Sequence, residues 1–129
     1  MDGAYTVEVK DEAIFVTFAP GTEVTPDVIK QAVKDELDLD GGLDRKDLWD
    51  IRGCKAGKGF SFESMRSLVK YIKQANNNDW KTRTAFLVDQ RLAFGLLRMF
   101  LSISGRSASE ISIFYDREQA YDFLGLPLE

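Results

Sequence analysis

The chain has no histidine and a single cysteine, Cys54. Histidine is the usual general base near neutral pH and the commonest metal ligand. Its absence excludes Ser-His-Asp and Cys-His catalysis, and histidine-based metal sites with them. One thiol cannot form an intramolecular disulfide or a cysteine-rich zinc site. Long apolar runs are missing too: nothing approaches the roughly 20 residues that span a bilayer. No transmembrane segment is therefore expected. No apolar segment follows a basic start, so no signal peptide is expected and the cytoplasm is the expected compartment. Positive charge is not in excess. The net charge of −4 gives no bulk electrostatic case for nucleic-acid binding.

What is present suits one globular domain over residues 1–129, large enough to bury a core without disulfides or metal. Tyr5 to Lys10 alternates apolar and polar side chains, as a half-buried strand does. After the polar pair Asp11-Glu12, Ala13 to Phe18 reads as a second strand, and the two predict an antiparallel hairpin. Thr25-Pro26-Asp27 starts a helix, with a threonine cap, proline in the first turn and an acid beside it. It runs to about Leu37. Asp47 to Arg52 predicts a third strand, and Gly53 to Gly59 a basic, glycine-rich loop. Ser61 caps a helix whose Phe62, Met65, Leu68, Val69 and Ile72 share one face, stopped by Asn76-Asn77-Asn78-Asp79. Ala85 to Val88 is a strand joined almost without a loop to a helix reaching Ser104. Glu110 to Tyr115 is the last strand. Asp116 caps a last helix that ends at Gly125. The fold class is α/β, in the order β-β-α-β-α-β-α-β-α. Strands joined by helices pair in parallel, so the sheet is mixed, with helices packed on it.

Several motifs fail on their spacing. GCKAGKGFS suggests a phosphate loop, but Gly53 and Gly57 have three residues between them, and Gly59 stands where a hydroxyl is needed. The dinucleotide pattern fails at Phe62, where its third glycine belongs. A plain flexible loop is the expectation, although a helix N-terminus beside Lys55 and Lys58 can attract an anion. Asp38 to Asp44 departs from a calcium loop at Gly42 and Leu43 and reads as a solvated acidic loop. No metal or cofactor is expected. Lys55, Lys58, Arg66, Lys70 and Lys73 read either as an ordinary polar helix face or as a face for an acidic partner or an anionic membrane. Cys54 lies near basic residues that could lower its pKa, though a lone cysteine after a strand is more often inert.

In the helix after Asp89, the capping role falls to Asp89 itself. At 100° per residue Leu92, Leu96, Met99, Phe100 and Ile103 form a stripe expected in the core, widened by Ala93 and Leu97. Phe94 and Leu101 lie together well away from that stripe. Either a neighbouring element covers them, or they are exposed for a second subunit, another protein or a lipid. Gly95 reads as allowing close backbone approach.

The strand LWDIRG, the helix after FSFESM, the segment AFLVDQRLAFGLLRMF and the ending ISIFYDREQAYDFLG resemble the SpoIIAA-like bacterial proteins of the STAS/Sec14 type. The resemblance spans nearly the whole chain. It implies a mixed sheet with a βα superhelix and a small cytoplasmic bacterial protein. In the anti-sigma-factor antagonists of that group, function is protein binding, regulated by phosphorylation of a serine in an Asp-Ser-Ser/Ala-Gly setting. This chain has Phe60-Ser61-Phe62-Glu63-Ser64 there, without the Asp-Ser and glycine context. Ser61 is accordingly read as a cap. The Sec14-type relatives imply an apolar ligand or membrane contact.

Three functions follow. The first is a non-enzymatic regulatory module, homodimeric or bound to a partner protein, with Phe94, Leu97, Arg98 and Leu101 as the interaction surface. The second is a binder of a small apolar or lipid-like ligand, its anionic head group held by Arg98 or by the Lys55/Lys58 loop beside Ser61. The third is an enzyme using Asp50, Arg52 or Tyr115 at strand ends, where ligands of open α/β sheets commonly sit. The first is the expectation: no enzyme and no nucleic-acid partner.

Overall fold

The computed structural model describes residues 4–39, 46–75, 82–107 and 110–128. The acidic loop beyond Leu39, the asparagine stop at 76–79 and residues 108–109 lie outside the described residues. Strands β1 (Tyr5–Lys10) and β2 (Ala13–Phe18) pair antiparallel, from Tyr5 opposite Phe18 to Lys10 opposite Ala13. Asp11 and Glu12 turn the chain with φ of 54° and 67°. Left-handed backbone at both positions is what a two-residue hairpin turn requires.

The chain continues through β3 (Glu23–Val24), α1 (Pro26–Leu37), β4 (Asp47–Asp50), β5 (Lys55–Ala56) and α2 (Phe62–Ala75). It ends with β6 (Thr84–Leu87), α3 (Arg91–Ser104), β7 (Ile111–Phe114) and α4 (Arg117–Leu124). The main sheet has the order β1-β2-β4-β6-β7. Every pairing after the hairpin is parallel. The fold is therefore α/β with a mixed sheet and helices packed on it, as the residue pattern predicts. Thr25 accepts a hydrogen bond from the Val28 N–H at 3.2 Å and Asp116 from the Glu118 N–H at 2.9 Å, so both predicted caps are made. Gly125 closes α4 with φ of 71°.

The strand order never reverses. Successive crossovers in one direction put their helices on one face. Ile14, Val16 and Phe18 of β2, with Trp49, Phe86 and Ile111, pack against α1, α2 and α3 in one core. The alternate residues Ala13, Leu48, Ala85 and Leu87 face the other way, against Ala120 and Leu124 of α4. The strand period of two thus divides one sheet between two cores.

Two elements were not foreseen. β3 and β5 pair in parallel, Glu23 with Lys55 and Val24 with Ala56. Two-residue strands carry no periodicity to read. They correct the flexible-loop expectation, because the segment 53–57 is laced to residues 21–24 by Gly21 N–H to Gly53 O, Lys55 N–H to Thr22 O and Gly57 N–H to Val24 O. Glycine is required at 57, where a Cβ would lie 2.8 Å from Thr25 Cγ2. β4 also ends two residues early. The Asp50 carboxylate accepts from the Arg52 N–H at 3.1 Å, a local turn that competes with the ladder.

Candidate functional site

β4, β6 and β7 end level, Asp50 beside Leu87 and Leu87 beside Phe114. The N-termini of α2 and α3 return to this carboxyl end of the sheet. Asp50, Arg52, Lys55, Lys58, Ser61, Phe94 and Tyr115 belong to strand ends, loops or first helical turns on this side, and Arg98 follows Phe94 one turn further along α3. Sequence reasoning singled them out separately, and the topology collects them.

Their chemistry is largely internal. Arg52 donates from Nε to Asp50 Oδ1 at 3.0 Å and from Nη2 to Oδ2 at 2.8 Å, so the two charges neutralise each other. That hydrogen bond holds the Arg52 guanidinium above its usual pKa. Asp89 does not cap α3. Both its oxygens accept from the Gly53 N–H, at 2.9 and 3.0 Å, and Gln90 takes the cap position without a side-chain hydrogen bond. The reason is the level ending of β4 and β6, which brings the Gly53 amide to Asp89 before the helix begins. Cys54 is buried, and burial pushes its thiol up rather than down, contrary to the effect expected of nearby lysines. Ser61 caps α2: its Oγ accepts from the Ser64 N–H at 3.0 Å, and Ser64 Oγ accepts from the Ser61 N–H at 2.8 Å. Lys55, Lys58, Arg66 and Lys70 are exposed.

In α3 the apolar stripe is shifted from expectation. Leu92 is 62 % exposed instead of buried, because the first turn stands beyond the end of the sheet. Phe100 is buried, and Leu96, Leu97, Met99, Leu101 and Ile103 are half-buried against the main core. Leu101 therefore faces the core, and Phe94 is covered by Tyr115, the rings stacked 5.4 Å apart at 10°. The Arg98 guanidinium lies 5.9 Å from the Phe94 ring. A Cβ at position 95 would meet nothing within 4 Å, so no close approach requires glycine there. The large apolar groups exposed at this end are Leu92, Phe62 at 58 % and Tyr115 at 52 %.

A second feature lies inside. An apolar cavity of about 60 Å³ separates the sheet from α1, α2 and α3, with Glu36, Asp47 and Thr84 among its lining residues. Asp47 Oδ2 accepts from Trp49 Nε1 at 2.9 Å and Oδ1 from Thr84 Oγ1 at 2.6 Å. Glu36, 1 % exposed, lies beside Asp47. Burial first, then the Asp47 charge, pushes the Glu36 carboxyl well above its usual pKa. Burial and the Asp47 charge thus favour the neutral form of Glu36. Its Oε2 has no partner among the described residues. Such an unsatisfied buried atom costs about 1–3 kcal/mol. Arg106, its side chain 6 % exposed, supplies positive potential toward Asp47, donates to Thr82 O at 2.7 Å and pairs with Glu110 at 3.7 Å.

The sequence profile of a domain of unknown function, DUF7793, matches residues 7–126, from within the first strand to the second residue after α4. The chain belongs to the DUF7793 family. None of the curated proteins matches it. Among the described residues of this DUF7793 domain, no helix is long and apolar enough to cross a membrane, and no group of three or more Cys, Asp or Glu is placed to hold a metal ion.

Glu36 and Asp47 are the site residues that sequence reasoning missed in this DUF7793 chain. One signal was available. Glu36 continues the Ile29, Val33 spacing of α1 and so falls on its buried stripe. Asp47 opens the strand DLWD, and nothing in its neighbours announces Trp49 and Thr84 as donors.

Proposed function

We propose that this protein is a non-enzymatic regulatory module of the SpoIIAA-like, STAS type, acting in the cytoplasm by binding a second copy or a partner protein. The carboxyl end of the sheet is the docking surface. One observation carries the reading: Phe62, Leu92 and Tyr115 stand exposed at the same end of the domain, where helix starts and strand ends converge. Large apolar side chains grouped at one end are a common mark of a protein-binding surface. Supporting it, the groups best placed for catalysis are otherwise engaged. Asp50 and Arg52 neutralise each other, Asp89 holds a loop, and the Cys54 thiol is buried.

Light scattering on separated species tests this with Leu92→Asp combined with Tyr115→Ser. Both positions are more than half exposed, so folding is expected to survive. A wild-type dimer that becomes monomeric in the variant supports the reading. A dimer unchanged by the double substitution overturns it. If the wild type is monomeric, cross-linking in cells through Lys55 and Lys58 decides: cross-links that never fall at this end of the domain overturn it too.

A further inference from the structure

We propose that the cavity under α1, α2 and α3 is a binding site for a short, neutral aliphatic alcohol, whose hydroxyl donates a hydrogen bond to Glu36 Oε2. The inference is independent of the docking surface and would stand if that surface had no partner.

The walls set the first half of the ligand. The cavity is lined by Val33, Leu68, Phe86, Phe100 and other apolar groups, which offer a hydrocarbon chain only dispersion contacts and exclusion from water. Its volume of about 60 Å³ suits a few heavy atoms, since one water needs roughly 10–15 Å³ on this measure. A neighbouring space of about 50 Å³ shares Val24, Ile29, Ile51, Met65 and Leu97 with it and reaches Lys55, Phe60 and Ala93. Side chains, one of them a pliable methionine, stand between the two spaces. A chain entering beside Ala93 at the carboxyl end of the sheet reaches Glu36 once these side chains move aside.

The polar group sets the other half. Asp47 already accepts from Trp49 and Thr84 on its two oxygens, and Glu36 lies beside it. What the pair leaves unused is an acceptor, Glu36 Oε2, buried in an apolar setting. An acceptor calls for a donor, so a hydroxyl fits and an ether or ketone does not. An anion would face two carboxyl groups. A cation would bring a second positive charge beside that of Arg106, which already lies in the field of Asp47. A neutral donor on a short alkyl chain meets all these conditions.

Methyl-labelled protein titrated with n-pentanol, n-pentane, pentanoate and pentylammonium tests this by carbon–proton correlation NMR. Saturable shifts are expected at the methyls of Val33, Met65, Leu68 and Leu97 with pentanol. Pentanol should bind about fivefold to tenfold more tightly than pentane, the worth of one neutral hydrogen bond. Pentanoate and pentylammonium should leave these methyls unmoved. Glu36→Gln keeps a side-chain carbonyl and should retain the preference, while Glu36→Leu should abolish it. The proposal is overturned if no probe shifts the methyls, if pentane matches pentanol, or if either ion binds better. It is also overturned if the preference persists in Glu36→Leu. Should that variant fail to fold, the wild-type comparison of alcohol with alkane still decides.

Discussion

Glu36 occupies a position that the helical repeat of α1 reserves for an apolar side chain, and its protonation is tied to folding. Its carboxyl titrates above the usual 4.5 when folded. The folded state therefore holds a proton that the unfolded chain releases. This contribution is fully present below 4.5 and is lost progressively as pH rises toward the folded value. Wild-type stability, measured by urea unfolding, should fall relative to Glu36→Leu as pH rises above 4.5. One proton limits the slope to about 1.4 kcal/mol per pH unit. A pH-independent difference would show that Glu36 is charged in the fold. Gly95 gives a simpler case. It sits inside α3 with open space around it and no backbone demand. Gly95→Ala should stabilise the protein by about 1 kcal/mol, seen as a raised thermal midpoint.

The helices were readable from local signals because their caps are local. Thr25, Ser61 and Asp116 each bond an amide two or three residues ahead. Asp89 broke the pattern because its partner, Gly53, is 36 residues away. Local chemistry offered it a cap, and sheet pairing offered it a nearer amide. Asp89→Ala should leave α3 intact while freeing the loop that carries β5. A loss of about 1 kcal/mol is expected, with faster amide exchange at Gly53 to Gly57 and unchanged exchange in α3. Exchange rising in α3 instead would restore the capping role. The α3 stripe erred for a related reason. Helical periodicity assigns a face, but it does not say where the opposing sheet stops, and Leu92 lies past that edge.

Across the whole molecule the strand order decides where a site can be. Because β1-β2-β4-β6-β7 runs without reversal, there is no switch point with helices diverging to opposite faces. The apolar cavity lies instead in the layer between the sheet and its three crossover helices. Arg106 links that layer to the region after α3, near Asp47 and bonded to Thr82 and Glu110. Burial lowers the pKa of this guanidinium, and its neighbours oppose that shift. Arg106→Met should destabilise the domain by about 2–3 kcal/mol in denaturant unfolding, because Asp47 would lose its nearby cation. The loss should shrink when Asp47→Asn is added.

Alternation in Tyr5–Lys10, the apolar run Ala13–Phe18, the helical spacing in α2, and the capping residues were enough to determine the α/β class, the order of the longer elements and most of their boundaries, but not β3 and β5. These depend on neighbours within a few residues, where chain geometry leaves few choices. The carboxyl-end grouping, the stacked Phe94 and Tyr115, the tie from Asp89 to Gly53 and the buried Glu36–Asp47 pair depend on residues far apart in the chain. Tertiary packing decided them, because burial and hydrogen-bond partnership are properties of a place and not of a residue.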